Sequence, residues 1–334
     1  MLWVILFKEG PRALSDIILH HYPQSPVSEK VRVVFGLKDL DWRSVTIPRL
    51  PPKPDLMPLT GGYRLTPVMQ IGADVYCDSH SIIRELERLK PEPTLFPGGV
   101  AGMAWGVGQW TDGPLFMSVI ALVFGDAGDD LPDDFREDRG ALYFGAGYDV
   151  ARMTRDLPAT LAQIRAQLQW MDDRLKTRDF MLGAEPGLPD ALCYYLVWFI
   201  RGRYSKGPGF LSQFENLVEW EKRIEGFGHG RPADMDSTEA LAVAKAAVPD
   251  VLEIVETGEG DPSGLKPGDE VKVEPIGVGL PNAVAGRIVR IGAQEIAIAR
   301  ADEQVGDVVV HFPRVGYRVS RGPGGGREAG GVPR

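Results

Sequence analysis

Apolar residues recur with two different periods along this chain, and the changes of period divide it. Ile17 to Leu19 is a short apolar run that reads as a strand, broken by His20, His21, Tyr22, Pro23 and Gln24. Val27, Val31 and Val34 then recur at i, i+4 and i+7, the spacing of one helix face. Ser25 stands at the N-cap, and Pro26 takes the first helical position, where its missing N–H has no partner to lose. Trp42 to Ile47 reads as a second strand, so the three elements form a βαβ unit, expected to be right-handed and parallel. Pro48 to Pro58 carry five prolines and, with Gly61 and Gly62, predict a long irregular loop. Thr66 to Ile71 and Val75 to Cys77 read as a hairpin about Gly72, Ala73 and Asp74. Ile82, Ile83, Leu86 and Leu89 then form the face of a helix capped by Asp78 or Ser79. The order up to residue 90 is β-α-β-loop-β-β-α.

Residues 91–102, rich in proline and glycine, read as a linker, after which the period becomes helical. Met103 to Phe124 is apolar with little turn chemistry, and Leu161, Ile164, Leu168, Met171 and Leu175 repeat at spacings of three and four, so residues 103–250 form an all-α domain. Asp126 to Tyr148 holds seven acidic residues and reads as a solvated excursion, with nothing in it that specifies a metal site. Leu188 to Ile200 reads as a helix with Gly187 at its cap and Asp190 as a structural first-turn carboxylate; Tyr194, Tyr195, Trp198 and Phe199 read as its core face. Past it, Val271 to Val273, Ala285 to Ile291, Glu295 to Ala299 and Val308 to Phe312 are short β-rich runs between glycine turns, predicting a small β-barrel-like module at 262–320. Residues 1–14 read as an N-terminal extension and 321–334 as a disordered glycine-rich tail.

Composition narrows the function classes. A length of 334 residues exceeds what one core usually supports. A net charge of −9 disfavours nucleic acid and anionic membrane as partners, and the module at 265–320 balances seven basic against seven acidic residues, with no basic footprint. Met1 to Phe7 is apolar but too short to span a bilayer. Two distant cysteines, Cys77 and Cys193, give neither a disulfide framework nor a zinc cluster, as expected of a cytoplasmic protein; Cys77 reads as a small strand residue.

Three motifs in this order carry a resemblance: Ser25-Pro26-Val27-Ser28-Glu29-Lys30-Val31-Arg32, Thr66-Pro67-Val68, and Asp78-Ser79-His80-Ser81-Ile82-Ile83. Together with the segment Phe180 to Asp190, they resemble cytosolic glutathione transferases of the serine type. The resemblance implies a fold of three parts: an α/β thioredoxin-like domain at 15–90, an all-α helical domain, and, as an addition, the small C-terminal β-barrel-like module. It implies glutathione as co-substrate, a small electrophile as second substrate, a homodimer, and no metal. By that likeness Ser25 is the catalytic hydroxyl that hydrogen-bonds the glutathione sulfur. Thr66 with a cis Pro67 takes the peptide-like middle, and Asp78 with Ser79 takes the γ-glutamyl end. No cysteine stands at position 25, which argues against thiol-transferase chemistry.

Two departures keep rival readings open. Leu65 stands where relatives often carry a polar residue for the glycine carboxylate, leaving Arg64, Lys53 and Arg49 as candidates for that contact or as solvated loop residues. Tyr22 precedes the helix and reads as packing rather than as the thiol activator. With Leu65 and the added module in view, the alternatives are a non-catalytic scaffold of the same fold and a glutathione-dependent isomerase or reductase.

Overall fold

The structure, a computed structural model, describes residues 17–250, 261–277, 279 and 283–322. The expected N-terminal extension and the glycine-rich tail lie almost entirely outside them. Strand β1 (Ile17–His21), helix α1 (Pro26–Leu37) and strand β2 (Asp41–Thr46) form the parallel unit, with His20 opposite Val45. A short helix α2 (Met57–Thr60) interrupts the proline loop, and β3 (Val68–Ile71) and β4 (Asp74–Cys77) form the hairpin that leads into α3 (Ser79–Leu89). Alternation assigns the two faces of this sheet. Ile17 and Leu19 of β1 join the core shared with α1, α3 and the helical domain, whereas Ile18 joins a second core on the opposite face.

The helical domain comprises α4 (Ala101–Trp110), α5 (Phe116–Ala127), α6 (Asp133–Phe144), α7 (Val150–Arg155), α8 (Leu157–Leu175), α9 (Leu188–Arg203), α10 (Gly207–Leu211) and α11 (Glu215–Glu225). Two expectations need correction here. The apolar run 103–124 is not uninterrupted, because Thr111–Leu115 winds as a π-turn between α4 and α5. Pro114 cannot donate inside a helix, and Gly113 takes up the non-helical backbone. The segment 126–148 is not a solvated excursion, because α6 lies within it and buries Arg139 and Leu142. The continuous stretch Ala101–Asp130 is long and apolar enough to cross a membrane, but Leu115, Val119, Ile120 and Leu122 on it belong to the core of the protein.

Asp190 is structural, as its place in the first turn of α9 implies. Its carboxylate accepts the N–H groups of Gly187 and Met181 and of the Trp220 indole, while burial pushes its pKa up to about 6. The glycine at the cap has a steric reason. A Cβ at 187 would come within 2.9 Å of the Leu95 carbonyl oxygen, and that oxygen is needed by the Leu188 N–H, 2.8 Å away.

The sheet continues beyond the α/β domain at both edges. After α11 the chain returns as β5 (Arg231–Asp234) alongside β2, then forms α12 (Ser237–Ala246) on the second core. β6 (Glu270–Pro275), β7 (Val284–Ile291), β8 (Glu295–Asp302), β9 (Gly306–Pro313) and β10 (Tyr317–Arg321) build the C-terminal module. Its first and last strands pair, as a barrel-like closure requires, but β9 also pairs in parallel with β4, Tyr76 standing opposite His311. The result is one ten-stranded sheet in the order β10-β6-β7-β8-β9-β4-β3-β1-β2-β5.

Candidate functional site

The turn from β1 into α1 is held from below. Arg32, about one helical turn beyond Glu29 and buried, donates to the carbonyls of Tyr22 at 3.4 Å and Pro23 at 2.9 Å and pairs with Glu29 at 2.6 Å. The His229 imidazole lies 2.9 Å from the other Glu29 oxygen, so both carboxylate oxygens are engaged. With Tyr22 and Pro23 fixed, Ser25 caps α1. Its Oγ accepts the Ser28 N–H at 3.1 Å, a bond worth about 1 kcal/mol, and that bond leaves the hydroxyl hydrogen free to donate elsewhere. The α1 N-terminus adds partial positive charge at the same place.

Pro67 is joined to Thr66 by a cis peptide bond, as the motif implied. The Lys53 ammonium donates to Thr66 Oγ1 at 2.9 Å, and Arg64 pairs with Asp138 at 2.7 Å, a carboxylate that Arg139 also holds at 2.6 Å. Burial, helped by the charges of Arg139 and Arg64, pushes the Lys53 pKa down to about 7. Three cationic groups thus converge with Asp138 as the carboxylate that pairs both arginines. Lys53 and Arg64 are therefore not merely solvated loop residues, and Arg49 contributes its carbonyl to Arg139 while its guanidinium rests on the Phe135 ring.

Asp78 closes the β4–α3 junction at φ 77°, a left-handed backbone uncommon for a residue with a side chain. Its Oδ1 accepts the His80 N–H at 2.9 Å and so caps α3, with Ser79 buried at the first helical position. From the far side Tyr317 of β10 reaches Asp78 Oδ2 at 3.1 Å.

The fourth contribution comes from the π-turn. Asp112 receives both hydrogen bonds of the Lys30 ammonium at 2.8 Å, lies 3.1 Å from His80 Nε2, and accepts the Tyr195 hydroxyl at 2.8 Å. Burial opposes its charge, but Lys30 and His80 outweigh burial and hold the carboxyl well below its usual range.

These four groups enclose one cavity of about 370 Å³. Ser25, Thr66, Pro67, Asp78 and Ser79 all line it, so the five residues singled out from sequence converge. Tyr22 lines it too, so its ring is not only packing, and so does Tyr195, which had read as core. Arg64, one of the three basic candidates from the loop, lines it as well, and Arg139, Asp112 and Val315 complete walls that the sequence motifs did not reveal. One signal was available: Asp112-Gly113-Pro114 is turn chemistry inside an apolar helical run. The cavity offers a cationic end at Arg64 and Arg139, a helix N-terminus and a hydroxyl donor at Ser25, and a second helix N-terminus beside a carboxylate at Asp78. An elongated ligand with an anionic group at each end fits that layout. Among the described residues no cluster of histidine, cysteine and carboxylate ligands suited to a metal occurs.

A family model of the glutathione S-transferase N-terminal domain matches residues 19–94, and one of the C-terminal domain matches residues 154–223. Among solved structures, a GST-like protein from Pseudomonas syringae is 36% identical over 92% of this chain and 99% of its own, with a TM-score of 0.72. A glutathione S-transferase from Rhodospirillum rubrum F11 is 19% identical over 63% of this chain and 87% of its own, with a TM-score of 0.48. A theta class glutathione S-transferase from Xanthomonas axonopodis pv. citri, solved with glutathione bound, is 18% identical over 63% of this chain and 92% of its own, with a TM-score of 0.46. No curated protein matches the chain.

Proposed function

This chain belongs to the glutathione S-transferase family, and from that premise we propose that it is a glutathione transferase that activates the glutathione thiol for attack on a small electrophile. One observation carries the reading: Ser25, the cis Thr66–Pro67 unit and the Asp78-Ser79 cap line a single tripeptide-sized cavity with a cationic end. In this reading the glycine carboxylate lies toward Arg64, Arg139 and Lys53, the role that Leu65 cannot fill. The cysteine amide groups lie along Thr66 and Pro67. The γ-glutamyl carboxylate meets Ser79 and the α3 N-terminus, and its ammonium group meets Asp78.

Chemistry follows from the position of Ser25. A thiol with an ordinary pKa near 8.5 is mostly protonated at neutral pH, and only the thiolate is a strong nucleophile. The Ser25 hydroxyl, its oxygen already accepting from Ser28, donates to the sulfur and favours the anion, and the α1 dipole acts in the same sense. The electrophile then enters against Phe116, Leu142 and Tyr143 of the helical domain, which form the apolar wall. The two buried, free cysteines agree with a reducing, cytoplasmic setting, and a homodimer is proposed on the family's habit.

Ser25→Ala tests the assignment in a conjugation assay at neutral pH. The expected result is a loss of about 10- to 100-fold in kcat/KM with saturable glutathione binding retained. Full activity in this variant removes Ser25 from the reaction. Binding to immobilised glutathione by a wild type without turnover on any electrophile supports the scaffold reading instead.

A further inference from the structure

The C-terminal module does more than extend the sheet, because it reaches the cavity at two places. Val315 and Gly316, in the turn between β9 and β10, line the cavity beside Asp78. Gly279, between β6 and β7, lies so close to α6 that a Cβ there would collide with the Ala141 carbonyl; its backbone is left-handed at φ 66°. The module thus forms one wall itself and braces the helix that carries Arg139.

Tyr317 makes the sharper contact. Its Oη lies 3.1 Å from Asp78 Oδ2 and 3.0 Å from Tyr63 Oη. An ionised carboxylate only accepts, so the Tyr317 proton goes to Asp78, and Tyr63 donates in turn to Tyr317. Burial and the nearby Asp78 charge hold both phenols well above their usual pKa, so they remain donors across the working pH range. The Tyr63 and Tyr317 rings are 2% and 8% exposed and pack against Phe312 with centroids 5.9 and 5.5 Å away. This packing holds the Tyr317 hydroxyl against Asp78. Asp78 is held at one oxygen by α3 and at the other by β10, and a carboxylate with about four acceptor sites still has two to offer the cavity.

Resting on the tripeptide reading above, we infer that the C-terminal module completes the γ-glutamyl end of the site: Tyr317 is a positioning residue that orients the Asp78 carboxylate toward the ligand's α-ammonium group, and the 315–316 turn closes the cavity over it. The module makes the site selective for γ-glutamyl peptides that carry a free α-amino group.

Calorimetric titration of the full chain with two probes tests this. One probe is glutathione, and the other is glutaryl-cysteinylglycine, which differs only in lacking the α-amino group. Wild type is expected to prefer glutathione by about tenfold or more, and Tyr317→Phe to reduce that preference to about threefold or less by weakening glutathione alone. Equal weakening of both ligands, which a merely structural role predicts, overturns the inference, as does an unchanged preference. Val315→Trp, at an exposed turn that tolerates bulk, is expected to weaken glutathione by at least about tenfold by filling the cavity end. Unchanged affinity in this variant overturns the closure, and the variant also decides the matter if Tyr317→Phe does not fold. A wild type that binds both probes equally overturns the inference and leaves the tripeptide reading standing. A wild type that binds neither overturns both.

Discussion

Lys53 is buried beside two guanidiniums, with its pKa pushed down to about 7 by burial and by Arg139 and Arg64. A ligand carboxylate arriving at that end raises the pKa again, so binding takes up a proton in the window from about pH 7 to 10. Affinity for S-methylglutathione, which has no thiol proton to release, therefore falls as pH rises through that window. Calorimetry with S-methylglutathione in buffers of different ionisation enthalpy is expected to detect the uptake, and Lys53→Met is expected to abolish it. Asp112 makes a second residue-scale case. Lys30 is 1% exposed and has Asp112 as its carboxylate, so Asp112→Asn leaves a buried ammonium without its counter-charge and is expected to cost roughly 2–4 kcal/mol in urea unfolding. The residues that sequence identified, Ser25, Thr66, Pro67, Asp78 and Ser79, carry local signatures: a cap, an X-Pro step and an acidic helix start. Arg139 and Tyr317 carry none, and the turn residues around Asp112 mark a break in the helix but not its place at the cavity, which depends on how whole elements pack.

At the scale of elements, the parallel pairing of β9 with β4 brings an ionic cluster into the interior. His311 lies 2.8 Å from Asp74 and 2.6 Å from Glu295 and stacks on Tyr76 at 4.4 Å, and Arg290, Arg88 and Arg84 are further charges that act on Glu295. Burial alone would lower its pKa, but the hydrogen bonds and charges of Asp74 and Glu295 push it up to about 9. The folded pKa exceeds the unfolded value near 6.5, so the protonated imidazole stabilises the fold fully below about pH 6.5, and this contribution is lost as pH rises through about 9. A difference of roughly 3 kcal/mol between those limits is expected from urea midpoints, and His311→Gln is expected to flatten the dependence. The helices and strands of the α/β domain were legible because their apolar periods are clean. The π-turn was legible only as the turn residues Asp112-Gly113-Pro114, because the apolar positions on either side look the same whether or not one residue is inserted. The strand β5 was hidden for another reason: Arg231, Pro232, Ala233 and Asp234 are exposed, with no buried face to alternate against. Its proline and charges suit the edge it occupies, and Arg231 fixes it by pairing with Asp41.

Over the whole molecule, the ten-stranded sheet joins what composition divides into separate parts. The β-rich composition of 262–320 announced a module, but composition carries no information about which edge a strand will meet. The junction with β4 became visible only in three dimensions. A shared sheet with a buried ionic cluster across the seam predicts that module and α/β domain unfold together. Hydrogen exchange at rising denaturant is expected to give β9 and β4 amides the same opening free energy, whereas earlier opening of the whole module would mean that the seam contributes little. A net charge of −9 for the chain makes the local cationic end of the cavity the more specific feature, because the global field repels anions that the site itself attracts.

Titrating the thiolate absorbance of glutathione bound to the wild type and to Ser25→Ala tests the central claim most directly. The account predicts that the bound thiol ionises about two units below its ordinary value near 8.5 in the wild type and returns toward that value without the serine hydroxyl. A bound thiol that titrates near 8.5 in the wild type, or one equally acidic in both proteins, would contradict it.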